Sequence, residues 1–383
     1  MKQKRTPWQI IRKLLNDIHL WLGLASGLIL FVVCFTGTVY TFHEEIGQWI
    51  DADKYYLNAP AGKSPLLVEE LSQKLSATVE GEPIAVTIPA SSDEAYQFTV
   101  RKEGERRAAT YLVNPYNGEL LGDTNSSASE FFMVMFRLHR WLMLDTSVGR
   151  PIVGWATIVF VVIILTGLVI WVPKKVKNWK QGLKIKWRAN WKRINHDLHN
   201  ALGLYTAIFL LIMALTGLQW SFSWYRSGLR SLLGVSDSRT ERQVDLPSVP
   251  SDSRALSAAE LIRIAEAELP FVGAYRVELN SEAVVADVRK YPSGFFATPA
   301  SDVLSINRYS GEVVSRELFA DKPLNEKIAR SIKALHVGNV FGTFSKIVYF
   351  ISCLIATSLP VTGTLIWFNK LKKKKVKRSK VLA

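Results

Sequence analysis

The residues best suited to chemistry in this sequence are its histidines, of which there are only six. His19 and His199 hold the same place in two similar stretches, NDIHLWLGL and HDLHNALGL, each of which opens a long apolar segment. His139 and His336 each follow a leucine ahead of two further apolar segments. Ionisable side chains near membrane depth are costly and tend to be functional. A facing pair of neutral imidazoles is a natural set of axial ligands for the iron of a b-type haem, so these residues predict haem binding.

His43 and His196 lack a histidine at the matching position, where Ser223 and Asn16 stand. Each remains an alternative ligand, His43 on the outer side and His196 beside His199. A zinc site is a further alternative, because two glutamates follow His43 and because His196 precedes His199 by three residues, although zinc usually takes four ligands. The plainest alternative is that a histidine at the end of a span only makes hydrogen bonds at the membrane surface.

Four stretches contain no charged residue and exceed the roughly 20 residues that a helix needs to cross a bilayer. They are Leu20–Phe42, Pro151–Pro173, Ala201–Tyr225 and Ile347–Asn369. The first is too long for the apolar region of a cleaved signal peptide, and no small residues follow it to form a cleavage site. The sequence therefore predicts an integral membrane protein with four transmembrane helices. The two cysteines lie inside apolar runs, which predicts no disulfide.

Lysine and arginine outnumber aspartate and glutamate by 48 to 33, and the net charge is +15. The basic residues concentrate next to the spans, at Lys2–Lys13, Lys174–Arg193 and Lys370–Lys380. Such clusters mark the cytoplasmic side of a membrane protein and contact lipid headgroups, so they do not indicate nucleic-acid binding. Both termini are then predicted to be cytoplasmic, and the long stretches 44–138 and 226–335 to lie outside.

Each outer stretch combines one helical pattern with several strand patterns, which predicts a small α+β domain. In the first, the helix is expected at Leu66–Leu75 and the strands at Ile84–Ile88, Tyr96–Val100 and Thr110–Val113. In the second, the helix is expected at Ala258–Leu269 and the strands at Tyr275–Leu279, Val284–Val288 and Val303–Asn307. Asn117-Gly118 is a strong hairpin signal, and a second turn is expected at Arg308–Gly311. Pro247–Arg254 is typical of a linker.

The chain also repeats itself in the order span, outer domain, span. VNPYNGEL in the first outer stretch matches INRYSGEV in the second, and LTGLVIW in the second span matches VTGTLIW in the fourth. Two tandem copies in one orientation imply a pseudo-two-fold axis along the membrane normal. Equivalent histidines can face each other across that axis. This predicts an inner pair, His19 with His199, and an outer pair, His139 with His336, with one haem for each pair.

Asp17 and Asp197 stand just ahead of two spans and are predicted to be helix N-caps. Thr-Gly pairs recur in all four spans, where close helix packing is favoured over the alternative of making room for a porphyrin. These pairs begin at Thr36, Thr166, Thr216 and Thr362. The apolar helix Glu130–Leu144 is expected on the outer membrane surface, and Trp141, beside His139, is expected to line the outer site.

The two span openings, the Thr-Gly pairs and the NPYNGE turn together resemble the PepSY-associated transmembrane family, from about Asn16 to Trp367. The length and the four-span plan resemble its inner-membrane ferrisiderophore (ferrioxamine-type) reductases. This resemblance implies a bacterial inner-membrane protein with two haems b that passes electrons to a ferric siderophore in the periplasm. The sequence has neither a dinucleotide-binding fingerprint nor a Cys-x-x-Cys-His motif, so the electrons are expected from quinol, reduced flavin or a cytoplasmic reductase.

These expectations divide the chain into eight parts. They are residues 1–43 (cytoplasmic tail and first span), 44–138 (first PepSY-like domain), 139–173 (outer interfacial segment and second span), 174–195 (basic loop), 196–225 (third span), 226–335 (second PepSY-like domain), 336–369 (fourth span) and 370–383 (basic tail). One alternative is a membrane-anchored, non-redox PepSY module that binds or inhibits a periplasmic protein or peptidase. A permease is less favoured, because the span centres carry no charged residue and only Pro360 as an obvious break.

Overall fold

The computed structural model describes residues 6–105, 107–173, 179–235, 254–279 and 283–382, with side chains as far as Lys372. Its helices are α1 (Pro7–Tyr40), α2 (His43–Ile50), α3 (Ala52–Tyr55), α4 (Val68–Thr78), α5 (Ser129–Trp141), α6 (Thr146–Trp171), α7 (Trp179–Gly182), α8 (Trp191–Ser221), α9 (Ser223–Leu232), α10 (Ala258–Glu268), α11 (Leu324–Val337) and α12 (Gly342–Leu382). Its strands are β1 (Glu82–Ile88), β2 (Tyr96–Arg101), β3 (Ala109–Val113), β4 (Leu120–Asp123), β5 (Gly273–Glu278), β6 (Val285–Pro292), β7 (Asp302–Asn307) and β8 (Val313–Glu317). The predicted linker Pro247–Arg254 lies almost wholly outside the described residues, as do parts of the three basic clusters.

Four of these helices, α1, α6, α8 and α12, are long and apolar enough to cross a membrane, which confirms the four predicted spans. Each helix begins before its uncharged stretch because the polar turns ahead of the stretch are also helical, whereas α1, α6 and α8 end shortly before the stretch does. α1 packs against α6 and α12, and α8 packs against the same two helices. The four helices therefore form a ring in which α1 and α8 lie diagonally opposite each other. Both cysteines are free thiols within this ring, as predicted.

The prediction that Asp17 and Asp197 cap helices is wrong. α1 begins well before Asp17, at a capping box formed by Thr6. α8 begins at Trp191, and the side chain of Asn190 accepts a hydrogen bond from the backbone N–H of Arg193. Asp197 lies in the second turn of α8, where its side chain is buried and accepts a hydrogen bond of 2.9 Å from Nε of Arg193. Polar residues at a span opening therefore do not mark the start of the helix.

The strands of both outer stretches join in one antiparallel sheet, in the order β4-β3-β2-β1-β5-β6-β7-β8. The sequence predicts two separate α+β domains, and here the structure differs. β1 and β5 pair across the middle, with Val86 opposite Val277. An unpaired edge strand leaves its N–H and C=O groups without partners, and this pairing satisfies them. Helices α4 and α10 pack on the sheet and share one hydrophobic core with it.

The two halves of the sheet end in hairpins of the same geometry. In each, a glycine with positive φ donates its N–H to an asparagine carbonyl at 2.9 Å: Gly118 to Asn114 and Gly311 to Asn307. The asparagine side chains also accept N–H bonds from the tyrosines two residues later. The six predicted strands overlap β1–β3 and β5–β7, and the structure adds β4 and β8 at the two edges of the sheet.

Candidate functional site

The inner pair of histidines lies between the two diagonal helices. His19 projects from α1 and His199 from α8, and their ring centres are 6.4 Å apart with an angle of 89° between the ring planes. Nδ1 of His19 lies 3.0 Å from the carbonyl oxygen of Ile163, and Nδ1 of His199 lies 2.9 Å from Oγ1 of Thr362. A carbonyl can only accept, so Nδ1 of His19 carries the proton and its Nε2 lone pair is available to bind a metal.

The outer pair is built by the two helices that precede α6 and α12. His139 lies on α5 and His336 on α11, with ring centres 6.1 Å apart and an angle of 60° between the planes. Nδ1 of His139 donates to the carbonyl of Val33 at 2.9 Å, and Nδ1 of His336 donates to the carbonyl of Met213 at 2.9 Å. Removal from water lowers the pKa of His139 and lowers that of His336 to about 4. Both imidazoles are therefore neutral at pH 7, the form that binds iron.

Both separations suit two imidazoles that share one metal ion. Histidine–metal bonds of about 2.0–2.1 Å place the two ring centres roughly 6 Å apart when both rings bind through Nε2. The described residues contain no group of three or more histidine, cysteine, aspartate or glutamate side chains that could hold a metal ion. Glu45, a candidate partner of His43 in a zinc site, pairs instead with Lys346. Two imidazoles without a third protein ligand among the described residues would suit a metal that brings its other ligands with it, as the iron of a haem does.

Each of the four imidazoles rests on one Thr-Gly pair. The glycine provides the space, since a Cβ atom there would come close to Cε1 of the histidine ring. The distances are 3.0 Å for Gly37 and His139, 3.1 Å for Gly167 and His19, 2.9 Å for Gly217 and His336, and 3.2 Å for Gly363 and His199. The sequence favours helix packing for these pairs, but the structure shows them as contact surfaces for histidines. The signal was available: four Thr-Gly pairs match four repeat-related histidines.

The threonines of these pairs donate a hydrogen bond to the same backbone carbonyl that accepts one from the histidine. Thr166 bonds the carbonyl of Ile163 at 3.0 Å, and Thr216 bonds that of Met213 at 3.2 Å. Both hydroxyls also approach Nδ1 of the histidine, at 3.1 Å from His19 and at 3.3 Å from His336. Such outer partners fix the orientation of a ligand ring and raise its basicity.

A cavity opens beside the inner pair and runs along the middle of the bundle. On α1, Gly23 and Gly27 follow His19 at intervals of four residues, and on α8, Gly203 and Ala207 follow His199 in the same way, so each set lies on one helix face. A Cβ atom at Gly23 would meet nothing within 4 Å. The result is an apolar slot between α1 and α8, with small residues of both helices in its lining.

The alternative ligands lie outside both pairs. His43 stacks on Tyr40, with ring centres 3.8 Å apart, and its Nδ1 bonds the carbonyl of Tyr40. His196 lines the mouth of the inner cavity, but its side chain is 54% exposed and its Nδ1 lies 3.7 Å from Asp197. The structure therefore brings together the four repeat-matched histidines and neither of the unmatched ones.

Trp220 is a site residue that the sequence did not reveal. Its ring centre lies 5.0 Å from that of His336. Trp141, expected to line the outer site, contacts Phe136, and its place beside a cofactor stays a prediction. Tryptophans near span ends are typical of interfacial belts, and only the docking of α11 against α8 distinguishes Trp220 from them.

The two pairs lie near opposite ends of the bundle. On α1, His19 belongs to the inner pair, and Val33 and Gly37 contact His139 of the outer pair. At 1.5 Å per residue, the pairs are roughly 20–25 Å apart along the helix axis. The outer pair lies at the end that carries the sheet, and the inner pair at the end that carries the basic segments.

Comparison with known families matches residues 17–370 to the family model described as the PepSY-associated TM region. This segment includes all six histidines, the four Thr-Gly pairs and every strand of the sheet. The comparison with curated proteins finds no match.

Proposed function

This chain belongs to the PepSY-associated transmembrane family, and from that premise we propose that it is a haem-b-containing transmembrane reductase. It passes electrons across a bacterial inner membrane to an Fe(III)–siderophore complex in the periplasm, from which Fe(II) is released. The observation that carries this proposal is the spacing of the two histidine pairs, with ring centres 6.4 and 6.1 Å apart at opposite ends of one helix bundle.

We treat the chain as two tandem repeats, each consisting of span, PepSY-like outer unit and span. Support comes from the matching order of a helix and four strands in each outer stretch and from the two equivalent hairpins. Each histidine pair also takes one member from each half of the chain. The basic segments beside the spans support a topology with both termini in the cytoplasm and the sheet in the periplasm.

The four paired histidines would hold the two haems through Nε2. Their Nδ1 bonds to helix carbonyls and threonines keep each ring in place, and the apolar slot beside His19 and His199 offers an apolar surface to a porphyrin. Haem iron, when bound, supplies one-electron transfer, which matches the single electron needed to convert Fe(III) to Fe(II). Fe(II) is a softer ion than Fe(III), so the hard oxygen donors of a siderophore hold it less tightly.

The position of the pairs gives this function its direction. The outer pair lies on the sheet side, where a periplasmic siderophore complex arrives. The inner pair lies beside the basic end, where quinol, reduced flavin or a cytoplasmic reductase supplies electrons. The two pairs together thus provide one redox site for the donor and one for the acceptor.

An absorption spectrum of the purified protein tests the haem proposal. We expect six-coordinate b-type bands that sharpen on reduction, with two haems per chain by pyridine haemochromogen assay. A colourless protein from haem-supplied cells would contradict it and favour the membrane-anchored PepSY module.

A proteoliposome assay tests the substrate and the direction of transfer. With reductant inside and a ferrioxamine-type complex outside, we expect Fe(II) to be captured outside by a chelating dye. The matched control is the His139→Ala variant, which should release little Fe(II). Equal release by both proteins would show that the proposed path is wrong.

A further inference from the structure

The cavity beside the inner pair is polar at one end only. Towards the middle of the bundle its lining is apolar or glycine. At the opposite end, past the two histidines, it is lined by Asn16, His196, Asn200 and Lys370. A ligand that fills this cavity therefore has an apolar edge on one side and groups that accept hydrogen bonds or carry negative charge on the other.

Arg12 does not line the cavity itself, but it lies beside the polar end and bonds the backbone of a lining residue, Ile170. It lies on the same face of α1 as Asn16, His19 and Gly23, because the intervals of four, three and four residues follow the helical repeat. Its Nη2 donates to the carbonyl of Ile170 at 2.6 Å, in the last turn of α6. Its Nη1 is buried without a hydrogen-bond partner, and within the described chain Arg12 has no ion pair. A buried cationic donor that lacks an acceptor is costly.

We propose that Arg12, assisted by Asn16 and Lys370, binds the propionate carboxylates of the porphyrin in the inner site and so sets its orientation, with the carboxylates at the basic end and the apolar edge against Gly23 and Gly27. This inference rests on the proposed function. It adds a carboxylate-binding site that is separate from the iron ligands.

The placement along α1 supports this orientation. Arg12 lies about 10 Å before His19 along the helix axis, and Gly27 about 12 Å beyond it. Arginine binds carboxylates through two parallel N–H bonds, and such charge-assisted bonds are among the strongest in proteins. The bond to Ile170 alone would satisfy one free carbonyl at the C-terminus of α6. That role leaves Nη1 of Arg12 without a hydrogen-bond partner. A carboxylate from the ligand supplies the missing acceptor.

Porphyrins with and without free carboxylates test this inference. In a His139→Ala/His336→Ala background, which retains the inner pair, the apoprotein is titrated with iron mesoporphyrin and with its dimethyl ester. We expect the free acid to bind at least about tenfold more tightly than the ester, as charge-assisted hydrogen bonds to carboxylates imply. Arg12→Leu should reduce this ratio to near one and leave ester binding unchanged. Lys13→Leu, which removes an exposed charge from the adjacent position, should preserve the preference for the free acid.

The outcomes separate this inference from the proposed function. Equal losses for acid and ester in Arg12→Leu, or equal acid and ester binding before the substitution, would show that Arg12 only supports helix packing. Failure to bind either porphyrin would overturn the proposed function and this inference with it.

A second measurement uses the chain with all its histidines. Loss of a cation beside the carboxylates should lower the midpoint potential of one haem in Arg12→Leu and leave the other unchanged. Lys13→Leu should change neither. Two unchanged potentials in Arg12→Leu would contradict the inference even if the double histidine variant does not fold.

Discussion

A Cβ atom on Gly37 would lie 3.0 Å from Cε1 of His139, so this glycine is the surface against which that imidazole rests. Gly37→Val should displace the ring and empty the outer site. We expect total haem to fall by about half, measured as haem per chain, because the inner pair is untouched. Gly228→Val is the control, since a Cβ there meets nothing within 4 Å. Haem loss of the same size in both variants would show that valine acts through folding alone.

Single substitutions of the histidines should divide them into three groups. His19→Ala and His199→Ala should each remove the inner haem, whereas His139→Ala and His336→Ala should each remove the outer one. The remaining haem can be identified by its midpoint potential. His43→Ala and His196→Ala serve as controls and should retain both haems, because neither ring lies in a pair. Haem loss in either control would overturn the ligand assignment.

The hydroxyl of Thr362 lies 2.9 Å from Nδ1 of His199. Thr362→Val removes this acceptor without changing the shape of the side chain. Loss of such an outer partner typically lowers affinity by about 10- to 100-fold, which transfer of haem to apomyoglobin would measure. Thr357→Val is the matched control, since among the described residues the hydroxyl of Thr357 bonds only the carbonyl of Cys353 in its own helix. Equal transfer rates for the two variants would contradict the expected role of Thr362.

Lys346 and Glu45 form an ion pair between α12 and α2, in which the lysine side chain is 9% exposed. Glu45→Gln leaves that cation without its partner. We expect a loss of about 1–2 kcal/mol in the free energy of unfolding, less than for a fully buried pair because Glu45 is half exposed. Thermal unfolding in detergent would measure it. Glu44→Gln, next to it and well exposed, should have little effect, and a similar loss there would rule out the ion pair as the cause.

Stability on the acid side should depend on His43. Removal from water lowers its pKa, although Glu44 opposes this change. The folded chain then binds a proton less readily than the unfolded chain, whose imidazole titrates near pH 6.5. Folding is unpenalised above that pH, and stability is lost as the pH falls below it, until the folded imidazole is also protonated. His43→Phe should reduce the fall in thermal midpoint between pH 7 and pH 5. An unchanged fall would contradict this.

The sequence predicts which histidines pair because residues at matching positions of the two repeats can face each other across the pseudo-two-fold axis. The matched positions of His19 and His199 predict that their rings meet, and in the structure they do. Iron between them remains a prediction. The pairing of β1 with β5 was not predictable, because two edge strands give no sign of which edge they will meet. The failure at Asp197 has a related cause: the helix continues beyond the apolar stretch, and periodicity alone does not show where it starts.

Four consecutive residue pairs join β1 to β5 above the bundle. A transporter that opens alternately to the two sides of the membrane needs its two halves to move relative to each other. The pairing of β1 with β5 joins the two halves at one end. Breaking it would expose eight backbone positions for every cycle. A protein that transfers electrons has the opposite requirement, since the rate of electron tunnelling depends on a constant distance between the two redox groups. In the proposed reductase, the continuous sheet would therefore keep the two haem sites at a fixed separation.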